Sequence, residues 1–164
     1  MSGSKKVNKI KYLSFFLAAV LFVTTSGAQA QTADELRNNK NTDNVLNYGM
    51  GYDLKMWSPL NKIDKSNVKR LVPIWHFSTA SNSGELSQPT VYNGVMYVVS
   101  AEFTFAIDVA TGRQIWRTPT NYDRGALRVA STGVITRGAA TIYGGKLFRQ
   151  TIDAHVVALD MNHR

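Results

Sequence analysis

The feature that most constrains the fold is an internal repeat of about fifty residues. The stretch TVYNGVMYVVS begins at Thr90 and matches TIYGGKLFRQT, which begins at Thr141, so the two copies lie 51 residues apart. After one inserted residue, the phrase AID at Ala106–Asp108 matches ALD at Ala158–Asp160. Repeats of this period are typical of proteins in which one structural unit recurs and stacks its apolar face on the next.

The repeated unit is made of short strands. The dipeptide Asn93-Gly94 lies between two apolar runs, a pattern that predicts a tight hairpin. FTFAIDV and RQIWRT then predict two further strands around a turn at Ala110–Gly112. Four short strands in such a unit predict an all-β fold in which each unit is one blade of a β-propeller.

The second copy stops early. In the first copy Trp116 lies eight residues after Asp108, whereas in the second copy the matching tryptophan would fall beyond Arg164, the last residue. We therefore expect a chain truncated inside a blade, with about two blades present. It would be a fragment, or the product of a shifted or interrupted reading frame.

Residues 1–30 have the pattern of a signal peptide. Four lysines precede the apolar run Tyr12–Val23, and Ala28 and Ala30 give the small-residue spacing of a cleavage site. The apolar run is about a dozen residues, short of the roughly twenty that a membrane-spanning helix needs. We predict export to a periplasm, cleavage after Ala30 and no stable membrane anchor afterwards; a retained anchor is the alternative.

Two parts are expected in the mature chain: an N-terminal helical and irregular segment over residues 31–60, and an incomplete propeller over residues 61–164. Thr32 before Asp34 and Glu35 predicts a capped helix start. The apolar run VPIWHFST, residues 72–79, predicts a strand.

Composition excludes several classes of site. The leader lysines account for half of the net charge of +8, and the remaining charges form no long basic run, so a nucleic-acid surface is not indicated. The chain has no cysteine, which excludes disulfides, thiolate metal sites and cysteine nucleophiles. His76, His155 and His163 have no metal-ligand spacing.

From Asn44 to Asp160 the chain resembles the quinoprotein alcohol dehydrogenases of the methanol and ethanol type. Four phrases follow in that family's order: WSPLN, SQPTVYNGVMYV, AIDVATGRQIW and TRGAATIYGGKLF. The resemblance implies an eight-bladed propeller about four times as long. It also implies pyrroloquinoline quinone beside a calcium or lanthanide ion, oxidation of a small primary alcohol to an aldehyde, and cytochrome c as electron acceptor. The family's metal ligands and catalytic base would lie in later blades, so no catalytic or metal-binding residue is predicted in this chain.

By the same resemblance Arg137 is the best candidate for a cofactor contact, because it matches the family's arginine in Asn-Arg-Gly. A guanidinium suits a quinone carboxylate through paired hydrogen bonds. A surface arginine at the start of a strand is the alternative. Thr136 replaces the usual asparagine.

Two departures from the family pattern concern the same site. The usual acidic residue is replaced by Leu86, with Glu85 one place earlier; a local bulge could return Glu85 to the pocket, or it could be a loop carboxylate. Ser131 and Thr132 stand where the family commonly has adjacent cysteines against the quinone. Either the chain belongs to a divergent branch or its quinone binding is weakened.

Other polar and aromatic residues are given structural roles. Trp75 and Trp116 are expected to dock one blade on the next, and Asp108 and Asp160 to bind backbone donors in blade turns. A second hypothesis for the whole protein is a non-catalytic propeller of the same repeat type that scaffolds an envelope assembly.

Overall fold

The computed structural model of the chain describes residues 31–38, 40–41, 43–82, 84–123, 125–126 and 134–162. Over residues 134–139 it describes the backbone and not the side chains. One short helix, α1 (Ala33–Arg37), precedes single 3-10 turns at Tyr48–Met50 and Val68–Arg70. The strands are β1 (Gly84–Gln88), β2 (Thr90–Tyr92), β3 (Val95–Val99), β4 (Phe103–Asp108), β5 (Gln114–Pro119), β6 (Val134–Ala139), β7 (Thr141–Tyr143), β8 (Lys146–Gln150) and β9 (Val156–Asp160). No helix within these ranges is long and apolar enough to span a bilayer.

Seven of the nine described strands form two antiparallel sheets in sequence order. The first sheet has the order β2-β3-β4-β5, and the second has the order β7-β8-β9. Their registers match: Val91 pairs with Met96 as Ile142 pairs with Leu147. Likewise Tyr97 pairs with Ala106 as Phe148 pairs with Ala158. The predicted repeat and the all-β blade architecture are therefore confirmed.

The turns of the two sheets correspond as well. Gly94 and Gly145 have φ values of 75° and 76° in the two hairpins. Their carbonyls accept hydrogen bonds from the N–H groups of Val109 (3.0 Å) and Met161 (3.1 Å). Gly94 and Gly145 thus occupy the same left-handed turn position, which glycine adopts without steric cost.

The one residue inserted in the second repeat lies in the turn after β8, which corresponds to the turn after β3 in the first repeat. Ser100 N–H donates to the Phe103 carbonyl, and Thr151 N–H donates to the His155 carbonyl, so the second turn is one residue longer. The side-chain oxygens of Ser100 and Thr151 also accept the returning N–H of Phe103 and His155, at 3.0 and 3.3 Å. This turn explains why the repeat offset changes by one residue.

A parallel pair of strands joins the two sheets. β1 runs through Pro89 into β2, β6 runs through Ala140 into β7, and β1 pairs with β6. Just beyond this pair, the Thr90 hydroxyl donates a 2.6 Å hydrogen bond to the Ala140 carbonyl. We call the β1–β6 pair the inner ribbon.

An apolar core fills the space between the sheets. Trp116 on β5 packs on Tyr97, with ring centroids 6.0 Å apart, and its indole N–H donates to the Met161 carbonyl after β9 at 3.1 Å. The expectation that Trp116 docks one blade on the next is confirmed. The buried members of this core are Leu36, Leu46, Tyr92, Tyr97, Val99, Ala106, Trp116, Ala140, Ile142, Leu147 and Met161.

The N-terminal segment packs against the first sheet. Thr32 caps α1 as predicted: its hydroxyl accepts from Glu35 N–H, and the Glu35 carboxylate accepts from Thr32 N–H at 2.8 Å. Further on, Val45 bridges to Val91 in an isolated antiparallel contact. The chain therefore enters the fold along the outer side of β2.

The strand predicted over residues 72–79 is wrong. This segment has no ladder partner among the described strands. Residues 72–74 are exposed, and half-buried and exposed residues alternate only from Trp75 to Thr79. Two aromatic contacts hold it instead: the Trp75 indole N–H donates to the Val109 carbonyl at 2.9 Å, and Phe77 packs edge-on against Phe105. The apolar pattern reflects these contacts rather than backbone pairing.

Candidate functional site

The inner ribbon brings together two of the four predicted site residues. Arg137 on β6 is the register partner of Leu86 on β1, and Glu85 lies opposite Thr136. Successive residues of a strand face opposite sides, so Glu85 and Leu86 face different ways. Leu86, at the place of the family's acidic residue, is 61% exposed.

Glu85 is turned toward the first sheet. One carboxylate oxygen accepts a hydrogen bond from Ala101 N–H at 3.2 Å, and the other accepts from the Thr79 hydroxyl at 3.3 Å. Ser87 lies on the same face and donates to the Val99 carbonyl at 2.8 Å. A register shift does occur in the ribbon, between Gly84 and Glu85. In this geometry the carboxylate holds the turn that follows β3.

Ser131 and Thr132 lie outside the described residues. Earlier in the chain, the N–H of Asp123 donates to the Asp153 carboxylate at 2.8 Å. Asp153 also accepts from the Thr151 hydroxyl and lies 3.2 Å from His155 Nδ1. These hydrogen bonds, led by that from Thr151, hold the pKa of Asp153 well below its usual range.

Arg149 is a buried residue close to Glu85 that was not predicted from the sequence as part of the site. It lies on β8, is 6% exposed, and reaches across to the first repeat. Its guanidinium donates to the Ser100 carbonyl (3.0 Å) and to the hydroxyls of Thr104 (2.9 Å) and Thr120 (2.6 Å). Burial lowers the pKa of Arg149 to about 10, although the nearby Glu85 carboxylate opposes this shift.

A cavity of about 340 Å³ lies beside Arg149, between the two sheets. Thr104, Thr118 and Leu159 are among its lining residues. The Thr118 hydroxyl is buried there and has no hydrogen-bond partner within the described part of the chain. The interface between the repeats therefore combines a buried cation with unfilled space.

The aspartates of the blade turns have the predicted structural role. Asp108 accepts hydrogen bonds from the N–H and the hydroxyl of Thr111, both at 2.8 Å, and these bonds lower its pKa. Asp160 accepts from Asn162 N–H at 2.8 Å. Among the described side chains, no three His, Asp or Glu residues converge as metal ligands would.

Two successive antiparallel blades joined by a parallel inner ribbon define the class: the chain is part of a β-propeller. A scan against protein families gives the match "PQQ: Glucose/ethanol/alcohol dehydrogenase, beta-propeller domain" over residues 46–163. The chain is 37% identical over 162 residues to a quinoprotein ethanol dehydrogenase of Pseudomonas putida, covering 90% of this chain and 25% of that protein. It is 36% identical over 130 residues to methanol dehydrogenase [cytochrome c] subunit 1 of Methylobacterium organophilum, covering 74% of this chain and 21% of that one.

Solved structures agree with these relatives. A europium-containing methanol dehydrogenase matches with a TM-score of 0.72 and 32% identity, over 79% of this chain and 23% of that one. The chain therefore belongs to the quinoprotein alcohol dehydrogenase family of β-propellers, the PQQ family. It spans about a quarter of the length of the curated relatives that it matches.

The described residues fit part of a quinone site and none of a metal site. For the quinone, the backbone of Arg137 lies on the ribbon as the register partner of Leu86, and arginine is a residue type that suits a carboxylate. For the metal, no cluster of ligands is present among the described side chains.

Proposed function

We propose that this chain is the N-terminal part of an exported quinoprotein that oxidises primary alcohols to aldehydes. The family match supports this, as do relatives named ethanol dehydrogenase and methanol dehydrogenase. The proposed cofactors are pyrroloquinoline quinone and a calcium or lanthanide ion; the europium-containing neighbour supports a lanthanide as one option. The chain alone, with about two blades, would be inactive.

The observation that carries the proposal is the position of Arg137 on the inner ribbon, where the two sheets meet. There it would bind a carboxylate of the quinone, while the quinone supplies the redox chemistry when bound. Ser131 and Thr132 would lie near the ring in place of the family's cysteines. Glu85 is also predicted to contact the quinone. For this its carboxylate would first have to give up its hydrogen bonds with Ala101 and Thr79.

The proposal also includes the electron acceptor and the cellular compartment of the protein. A relative named for cytochrome c supports a cytochrome as electron acceptor. The leader pattern of residues 1–30 supports a periplasmic location.

A non-catalytic scaffold is the second candidate, and one observation favours it. Leu86 is the register partner of Arg137 at the place where the family has an acidic residue, and the neighbouring carboxylate of Glu85 is bound to Ala101. A propeller that had lost quinone binding could tolerate both changes.

A chimaera separates the two candidates. Residues 31–160 would replace the matching N-terminal segment of the Pseudomonas putida quinoprotein ethanol dehydrogenase, and the purified protein would be loaded with quinone and calcium. We expect bound quinone and reduction of an artificial dye with short primary alcohols. A folded chimaera that neither binds quinone nor turns over alcohol would favour the scaffold.

A further inference from the structure

Residues 72–79 resemble β5 in sequence, although they belong to neither sheet. The phrase IWHFST, which begins at Ile74, shares Ile, Trp and Thr at the same places with IWRTPT, which begins at Ile115 on β5. β5 pairs with β4, whereas residues 72–79 pair with none of the described strands. They therefore resemble the last strand of a repeat whose other strands do not precede it in the described chain.

The tryptophans of the two phrases make equivalent contacts. The indole N–H of Trp75 donates to the Val109 carbonyl at 2.9 Å, and the indole N–H of Trp116 donates to the Met161 carbonyl at 3.1 Å. Val109 follows β4 and Met161 follows β9, and each donates its own N–H to the hairpin glycine of its sheet. Residues 72–79 thus contact the first sheet as β5 contacts the second.

The first sheet separates residues 72–79 from the second sheet. Phe105 on β4 packs edge-on against Phe77, with ring centroids 5.1 Å apart. The hydroxyl of Thr104, the preceding residue, accepts a hydrogen bond from Arg149 of the second sheet. Neighbouring residues of a strand face opposite sides, so the two contacts lie on opposite faces of the first sheet. Residues 72–79 therefore cannot reach β9 of their own chain.

We propose that residues 72–79 of one copy of this chain pair with the outer edge of β9 in a second copy. β9 corresponds to β4, and in the described structure it lacks a partner on the side where β4 pairs with β5. One chain thus carries both halves of the contact, a β5-like segment without a partner and an open edge of the kind that β5 fits. The association is head-to-tail, and it goes beyond the proposed function because it does not involve the alcohol chemistry.

The first sheet predicts the register of this contact. Phe105 on β4 pairs with Arg117 on β5. Val157 is the β9 residue equivalent to Phe105, because each precedes the alanine of its Ala-x-Asp phrase. His76 is equivalent to Arg117, because each follows the tryptophan of its phrase. We therefore expect His76 of one copy to lie opposite Val157 of the next.

Cysteine cross-linking tests this register in a chain that has no cysteine of its own. The complete chain would be expressed in one bacterium in two tagged versions, one with His76→Cys and the other with Val157→Cys, and the cells would be treated with an oxidant. Opposite Cα atoms of an antiparallel pair lie about 4.5 to 5.5 Å apart, which allows a disulfide. We expect a dimer that carries both tags.

Ala158→Cys is the matched control, because Ala158 is more exposed than Val157 but faces the other side of β9. Its dimer yield with His76→Cys should be several-fold lower. Equal yields would show unspecific aggregation and overturn the proposal. A dimer of two His76→Cys chains, a disulfide to another protein of the cell or the absence of any dimer would overturn it as well. None of these results bears on quinone binding, so the proposed function would stand.

The unmodified chain provides a second test that needs no variant to fold. A synthetic peptide of residues 70–80 would compete for the edge of β9. In light scattering, an excess of this peptide should shift the purified complete chain to smaller species, whereas a peptide of the same composition in scrambled order should not. An unchanged size with the peptide, or a chain that does not associate without it, would refute the head-to-tail contact.

Discussion

At the scale of single residues, Arg149 does most to join the two repeats. It is a buried cation whose partners in the first repeat are neutral oxygens rather than a carboxylate. The equivalent position of the first repeat, 51 residues earlier, is Val98. A charged residue at a position that is apolar in the other copy is the signal by which the sequence could have revealed this contact.

Replacing Arg149 by Met should destabilise the fold by about 2 to 4 kcal/mol, because buried acceptors at Ser100 and Thr104 would lose their donors. Urea unfolding of the chimaera with and without this substitution, followed by tryptophan fluorescence, measures this loss. Arg113→Met, at an exposed turn position, is the control and should change stability by less than about 0.5 kcal/mol. Equal effects of the two substitutions would contradict the role given to Arg149.

Tyr97 provides a test by pH. Burial raises the pKa of its phenol to about 12, from the usual value of 10. The unfolded chain therefore ionises first, and the stability that the neutral phenol contributes is lost as the pH rises from about 10 to about 12. Arg149 changes stability in the opposite direction in this range, since its folded pKa is lowered, so a variant is needed to isolate Tyr97.

Tyr97→Phe copies the second repeat, which has Phe148 at this position. Its stability should fall less steeply between pH 10 and 12 than that of the parent chain. Urea unfolding of the chimaera and of its Tyr97→Phe variant, at several pH values in this window, measures the difference. Parallel pH profiles for the two proteins would show that Tyr97 ionises normally in the folded chain.

Only part of the candidate site could be predicted from the sequence. It predicts Arg137 and Glu85 as cofactor contacts, and both residues lie on the inner ribbon. It could not decide where the Glu85 carboxylate binds, because its partners Thr79 and Ala101 come from other parts of the chain. Hydrogen bonds of this kind depend on how distant segments pack.

At the scale of elements, the two hairpin turns give the sharpest comparison. Gly94 and Gly145 share the same positive φ, and a Cβ at either would meet no atom within 4 Å. Gly112 also has a positive φ, of 70°, but a Cβ there would lie 2.6 Å from the Trp75 ring. Alanine substitutions at these three glycines therefore distinguish the cost of backbone strain from the cost of a steric clash.

Alanine at Gly94 and alanine at Gly145 should each cost about 1 to 2 kcal/mol, from the left-handed backbone alone. Alanine at Gly112 should cost about 1 to 3 kcal/mol more, because Trp75 would have to move. The free energy of unfolding of each variant, measured in the chimaera, gives the comparison. Clearly unequal costs at Gly94 and Gly145 would contradict the equivalence of the two hairpins.

Local patterns predicted the hairpins well and the ribbon poorly. Asn93-Gly94 and the repeat offset were enough for β2, β3, β7 and β8. β1 and β6 were not predicted, because GELSQ is polar and its pairing with β6 joins residues about fifty positions apart. The wrong strand at 72–79 has the opposite cause: an apolar run without a partner strand.

At the scale of the whole molecule, the described structure leaves apolar surface uncovered. The outer edge of β9 has no partner strand in the described part of the chain, whereas β4 at the equivalent position pairs with β5. Large apolar side chains of the N-terminal segment are more than half exposed, among them Trp57, Val72 and Ile74. Open edges and apolar patches of this kind favour association.

Residues 31–164 produced alone should therefore aggregate and show no alcohol dehydrogenase activity. Size-exclusion chromatography with light scattering measures the association, and a dye-reduction assay with quinone and calcium measures the activity. The control is the chimaera, in which residues 31–160 meet the remaining blades. A soluble monomer of residues 31–164 with a sharp, reversible melting transition would show that two partial blades are sufficient.

We propose that the inner ribbon holds Arg137 at the quinone-binding position, and equilibrium titration of the chimaera with pyrroloquinoline quinone measures this contact. Loss of a charge-assisted hydrogen bond should weaken binding by about 10- to 100-fold in Arg137→Leu. Arg137→Lys should restore part of this affinity, and Arg113→Leu should bind like the parent. Equal affinity of the parent chimaera and Arg137→Leu, or no quinone binding by a folded parent chimaera, would contradict the claim.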